Sequence, residues 1–231
     1  MARKYDTKRL WKPEPAHVVF DEFQELDTIA GQVDAIVRSE IQHHGNAASY
    51  VFAGSNVRMM EMMFADRKRA FFGQTQPVVL EPLDDQPLAT YIGDRFADSG
   101  KEITAPTLGA LLDLVRGHPQ RAMAAAHALW DVTDRIADEE RWEVAYIKLM
   151  DDVDDELRTL WDQLTPAERR ALVAVATGVG PFQRGEASTR GSVAARAVRG
   201  LASRGVIAQV ERRWGVVDPL LVEWVDERRT R

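Results

Sequence analysis

Three short apolar runs alternate with two helix-patterned segments between residues 17 and 80, and this alternation limits the fold more than any other feature of the chain. His17-Val18-Val19-Phe20 runs into Asp21-Glu22-Phe23-Gln24, the pattern of a buried strand whose C-terminal end meets solvent. Ile29 to His44 carries Ile29, Val33, Ile36, Val37 and Ile41 at helical spacing and stops at Gly45-Asn46. Ser49 to Ser55 reads as a second buried strand, Val57 to Asp66 as a Met-rich helix, and Gln76 to Leu80 as a third strand. That order predicts an α/β sheet, mainly parallel.

After Pro82 the pattern is helical only, over about 86–98, 105–116, 119–135 and 139–163. The last of these is expected to be interrupted at the acidic cluster Asp151-Asp152, Asp154-Asp155-Glu156. Thr165-Pro166-Ala167-Glu168 is a capping-box start with proline at the first helical position. It opens a C-terminal module: helices near 187–189 and 191–204, strands at Val206–Val210 and Trp214–Val217, and a final helix from Pro219. Helix–helix–helix–hairpin is the winged-helix order. The expected division is therefore a disordered or truncated edge at 1–16, a partial α/β core at 17–82, a helical segment at 83–163 and a winged-helix domain at 164–231.

Composition removes several function classes. The chain has no cysteine, which excludes disulfides and thiolate metal sites. Its net charge of −6 gives no general reason to bind nucleic acid, but the charge is unevenly placed. Asp131 to Leu164 holds twelve acidic and four basic side chains, whereas Thr165 to Val217 holds nine arginines and three acids. No apolar run approaches the roughly 20 residues of a membrane span, and the basic Met1–Pro15 stretch lacks the apolar core of a secretory signal. A cytoplasmic protein is expected.

The sharpest chemical signal is Val18-Val19-Phe20-Asp21-Glu22. Phosphoryl transfer needs a carboxylate to hold Mg²⁺ and a group to orient the attacking water. Two adjacent acids at the tip of a rigid strand can supply both, although an acidic turn after a core strand has the same look. The second strand also ends in small polar residues, Ser55 and Asn56, at the edge where open α/β sheets bind ligands. Either one could simply cap the following helix, and both roles can coexist. His43-His44 is a helix end rather than a metal pair, because adjacent helical residues do not face each other.

The stretch VFDEFQEL, with YVFAGSNVRMMEMMFADRKRAFFGQTQPVVLEPLD and GHPQRAMAAAHALW after it, resembles the archaeal-type ATPase family, within the AAA+/STAND P-loop ATPases. The likeness covers about residues 17–132, and a winged helix is a usual appendage of related proteins. It implies ATP and Mg²⁺ as ligands, with 83–163 as a lid. Asp21 would hold Mg²⁺ and Glu22 would polarise the hydrolytic water. Asn56, with Ser55 beside it, would be the sensor near the γ-phosphate. Arg69, or Arg67, falls where relatives carry an arginine finger. Gly117-His118-Pro119 resembles the lid motif that packs near the adenine, and Arg121 stands where relatives keep a second sensor arginine. The alternatives are a solvated helix end for Arg67-Lys68-Arg69 and an ordinary helix stop and start at 117–119.

The family's phosphate-binding loop, G-x-x-x-x-G-K-[ST], has no counterpart in this sequence. The chain therefore reads as the C-terminal part of a nucleotide-dependent switch ATPase, either a truncated gene product or one half of a split protein. It is not expected to hydrolyse ATP alone. In the C-terminal module, Val193, Ala197 and Leu201 share one helix face, while Ser192, Arg196, Arg199 and Ser203 share the other. Arg212 and Arg213 sit at a wing tip. That basic surface would meet DNA, or dock on the acidic 131–163 segment or another protein. A DNA-binding regulator without enzymatic activity, or a protein-interaction module, is the rival reading, and a homo-oligomer is left open.

Overall fold

Residues 15–28, 33–179, 188–210 and 213–230 are described by a computed structural model of the chain. The chain divides into two compact units, Met1–Val79 and Leu80–Arg231.

In the first unit, β1 (Ala16–Phe20) and β2 (Ala48–Phe52) form a parallel pair in register from Ala16–Ala48 to Phe20–Phe52. Between them lie a 3₁₀ segment, Phe23–Thr28, and helix α1 (Val33–Ile41). Helix α2 (Val57–Ala65) follows β2 and is capped by the Asn56 side chain, which accepts the Met59 amide at 3.1 Å. Ile29 lies outside the described residues. The parallel strands are as expected, but they are not buried. Val19 and Val51, paired across the ladder, are 64% and 56% exposed. Parallel sheets are ordinarily covered on both faces, and among the described residues this one has two strands and one covered face. That face carries Phe20 and Phe52 against Phe23, Met63, Phe64 and Phe71, a mostly aromatic core with Phe23 and Phe52 centroids 4.5 Å apart.

The expected third strand is absent: residues 76–80 form no strand, and Val78, Val79 and Leu80 are all strongly exposed. β-propensity describes fit to a paired, half-buried surface, and no partner strand lies beside this segment among the described residues.

The second unit is built on α3 (Asp85–Asp98), α4 (Ala105–Val115), α5 (Pro119–Val132) and α6 (Glu139–Gln163). It is not purely helical, because β3 (Glu102–Ile103) pairs in parallel with β4 (Ile136–Ala137). α6 runs unbroken through the acidic cluster. Two of the cluster's carboxylates are compensated: Asp154 accepts the Trp224 indole N–H at 2.7 Å and faces Arg228 and Arg158, and Glu156 meets Arg121.

Helix α7 (Pro166–Ala176) starts with the expected capping box, in which the Thr165 hydroxyl and the Glu168 carboxylate serve each other's backbone amides. Then come α8 (Ser188–Ser203), an antiparallel hairpin of β5 (Ile207–Val210) and β6 (Arg213–Val216), and α9 (Pro219–Thr230). The separate short helix near 187–189 is replaced, from Ser188 on, by the first turn of α8. On α8 the buried residues are Ala197, Val198, Leu201 and Ala202, while Val193 is 42% exposed. One continuous core runs from Leu88 to Val225, joining the helical segment to the C-terminal module. Fully buried Leu111, Leu129 and Leu172 each contribute roughly 2 kcal/mol by burial.

Candidate functional site

β1 delivers its two acids at a sharp turn. Glu22 takes a left-handed backbone, φ 47°, which is uncommon for a residue with a side chain. Its amide donates to Asp21 Oδ1 at 2.9 Å. β2 ends beside this turn through the backbone bonds Ala53 N to Phe20 O (2.8 Å) and Phe23 N to Ala53 O (2.9 Å). The result joins the two strand ends chemically: Ser55 Oγ donates to Glu22 Oε2 at 3.0 Å.

Gln24 completes this cluster, and the sequence reading missed it. It is 3% exposed, its Nε2 donates to Glu22 Oε2, and the same nitrogen lies 3.4 Å from Ser55 Oγ. Gly54 makes the room. A Cβ there would run into Gln24 Oε1 and lie 2.6 Å from Met60 Sδ. A polar residue two places after the acid pair, opposite a glycine that precedes Ser55, was the available signal. The hydrogen bonds from Gln24 and then Ser55 hold the Glu22 carboxyl below its usual range, against a smaller opposing effect of desolvation.

The other first-unit residues have settled partners. Asn56 caps α2, as the alternative reading allowed. Arg69 Nε lies 3.0 Å from Asp34 Oδ2 on α1, and Arg67 is exposed. Among the described residues no group of three or more His, Asp or Glu is arranged to hold a metal. Mg²⁺ does not require one, since it is commonly held by one or two carboxylates plus substrate phosphates. The exposed Asp21 fits that mode.

In the second unit, Gly117 (φ 73°) follows the left-handed C-cap Arg116, His118 Nδ1 caps α5 by accepting the Arg121 amide, and Pro119 opens the helix. Arg121 is buried at 5% exposure. Its Nη2 lies 2.5 Å from Asp218 Oδ2 and 3.0 Å from Glu156 Oε1, and its Nε is 3.1 Å from both Asp218 oxygens. An open cavity of about 490 Å³ lies beside Pro119. Arg196 and Arg199 are exposed on α8, Arg213 is exposed at the start of β6, and Arg212 lies outside the described residues. The acidic helix α6 takes Arg121 and Arg228 as partners. Among the described residues neither Arg196 nor Arg199 forms an ion pair with it.

Two solved structures resemble this chain. A Walker-type ATPase of Pyrococcus abyssi aligns over 92% of it with a TM-score of 0.72 and 15% identity. The ORC2 protein of Aeropyrum pernix, solved as ADPNP–ADP complexes, aligns over 92% with a TM-score of 0.57 and 15% identity. The fold is AAA+ ATPase-like. The chain spans 63% and 65% of the lengths of those two proteins. No family model matches its sequence, and no curated protein does. Within this AAA+-like fold, the Glu22–Ser55 contact lies where parallel strands end, the edge at which open α/β sheets bind ligands. None of the second unit's helices, nor any other among the described residues, is long and apolar enough to cross a membrane.

Proposed function

We propose that the chain is the adenine-nucleotide-responsive part of a switch ATPase, and that the Asp21-Glu22 turn is its chemical centre. The observation that carries this reading is the hydrogen bond joining Glu22 to Ser55 across the ends of β1 and β2. Asp21 would hold Mg²⁺, which supplies charge neutralisation for transferring phosphates. Glu22, kept ionised by Gln24 and Ser55, would accept a hydrogen bond from the attacking water and orient it. Asn56 and Ser55 would face the γ-phosphate. Arg69 as a finger, and Arg121 as a second sensor, would each first have to leave the carboxylate it now meets. These 231 residues carry no phosphate-binding loop, so efficient hydrolysis would need that loop supplied upstream or by another chain.

Equilibrium binding of ADP to the full chain, with and without Mg²⁺, tests this. Asp21→Asn should remove the dependence on Mg²⁺, whereas Glu22→Gln should leave affinity intact, because Glu22 acts on water rather than on the bound ligand. Failure of the wild type to bind millimolar ADP under either condition overturns the reading.

A second reading is favoured by the exposure of Arg196, Arg199 and Arg213. The 164–231 module would be a winged helix that lays α8 against DNA, with the hairpin as wing. Salt-sensitive duplex binding by the full chain supports it.

A further inference from the structure

The β1–β2 ladder is bare where a parallel sheet is ordinarily covered. Strand side chains alternate between faces. Phe20 and Phe52 therefore enter the aromatic core, while His17, Val19, Ser49 and Val51 share the opposite face, where His17 Nδ1 lies 2.6 Å from Ser49 Oγ. Among the described residues no third strand pairs with the outer edge of either strand. Proteins blunt such edges with charged side chains or with bulges. Ala16–Phe20 and Ala48–Phe52 contain no Lys, Arg, Asp or Glu, and their register runs without a bulge. A regular, unguarded edge of this kind is a template for a further strand.

The same unit carries a segment suited to that template. Gln76-Pro77-Val78-Val79 is uncharged and ends in two β-branched residues, yet it forms no strand, and Val78 and Val79 are 79% and 60% exposed. Pro77 has no N–H to give to a ladder, which confines such a strand to a sheet edge or to starting at the proline. An edge position is what the ladder leaves open. The segment lacks a partner and the ladder lacks a cover, and every copy of the chain carries both.

We propose that two copies of the chain exchange this segment: residues 76–79 of each add as an edge strand to the β1–β2 ladder of the other. A two-fold exchange satisfies both elements of both copies at once. A foreign polypeptide on the ladder would leave Val78 and Val79 exposed, which favours a second copy as the occupant. Neither element carries a charge that opposes the approach. Strand addition supplies main-chain hydrogen bonds for affinity, and it sets one valine of the segment on the bare face beside Val19 or Val51. The inference is independent of the nucleotide reading, since neither Asp21 nor Glu22 takes part.

The test combines association with cross-linking, on full chains. Sedimentation equilibrium of the unaltered chain at micromolar concentration should give twice the mass of one chain. Replacing both Val78 and Val79 by proline removes two ladder N–H groups and should weaken association by about tenfold or more. Circular dichroism should stay unchanged, because both side chains are exposed. The chain has no cysteine, so introduced thiols report cleanly. Tagged Val19→Cys or Val51→Cys chains are mixed with untagged Val78→Cys or Val79→Cys chains and gently oxidised. Neighbouring residues of a strand point to opposite faces, so one of the two segment positions should form tagged–untagged dimers severalfold better than the other. A monomeric wild type at high micromolar concentration overturns the proposal. So does a dimer that survives the proline pair, equal yields from Val78→Cys and Val79→Cys, or no mixed dimer with either ladder position.

Discussion

The guanidinium of Arg121 lies along the carboxylate of Asp218, 97 residues later in the chain, with Nη2 only 2.5 Å from Oδ2. Asp218 also accepts the Leu220 amide at 3.0 Å and so caps α9. One carboxylate thereby fixes the start of α9 to the first turn of α5, while Glu156 brings in α6. A positive charge in the first turn of a helix opposes the helix dipole. Two carboxylates offset that cost and the cost of burying the guanidinium.

Removing Arg121 should therefore be expensive. Arg121→Ala leaves the partly buried Asp218 carboxylate without its cation and should destabilise the second unit by about 3 kcal/mol, the lower end for a broken buried pair because Glu156 is mostly exposed. Asp218→Ala should cost a similar amount, and the double variant clearly less than the sum of the two. Urea denaturation of the four proteins measures it. Strictly additive losses would show that the pair is not energetically coupled.

Gly117 and Gly93 should respond to alanine in opposite directions. At Gly117 the backbone is left-handed and a Cβ would strike the 82–83 segment, so alanine should cost about 2 kcal/mol. Gly93, inside α3, has open space around its missing Cβ, and alanine there should stabilise by about 0.5–1 kcal/mol. Thermal melts of both variants settle the signs.

Acid should loosen the capping box of α7. Burial alone would raise the Glu168 carboxyl, but the Arg204 guanidinium and the Thr165 amide and hydroxyl outweigh it and hold it below the usual carboxylate range. A carboxyl depressed in the folded state contributes stability above its unfolded pKa, about 4.3, and that contribution is lost as pH falls through the folded value. Glu168→Gln should flatten this part of the stability profile below about pH 4.5. The readout is urea midpoint against pH, and parallel profiles for the two proteins would contradict the assignment.

What the sequence disclosed and what it hid divide along the range of the interactions. Periodicity marked α3 to α6 to within a few residues, and the Thr165–Glu168 box was legible because its whole chemistry lies within four residues. Gln76 to Leu80 looked like a strand because composition carries β-propensity but not the partner it needs. The β3–β4 ladder was too short to register at two residues per strand. At the candidate site, Asp21, Glu22 and Ser55 were visible as strand-end polar residues. Gln24 was hidden because its role depends on the space left by Gly54, thirty residues away. Arg121 could be singled out by its odd place in a first helical turn. Its partners Glu156 and Asp218 could not, since nothing local ties them to it.

The basic face of α8 supplies the last prediction. Arg196 and Arg199 are exposed, three residues apart, on the side of α8 opposite buried Ala197, Val198, Leu201 and Ala202. On the acidic helix α6, Glu156 meets Arg121 and Asp154 meets Arg228, and among the described residues neither Arg196 nor Arg199 has an ion-pair partner. Arginines exposed on a helix face are suited to phosphate oxygens. If the module meets duplex DNA, replacing both by alanine should weaken binding on every sequence tested and lower the slope of log affinity against log salt by about two. Folding should be unaffected, because neither side chain contributes to the core. Fluorescence anisotropy with a labelled duplex, repeated across a salt series, gives both numbers at once. An unchanged slope with a stable fold would remove α8 from any DNA interface and leave the basic face as solvated surface.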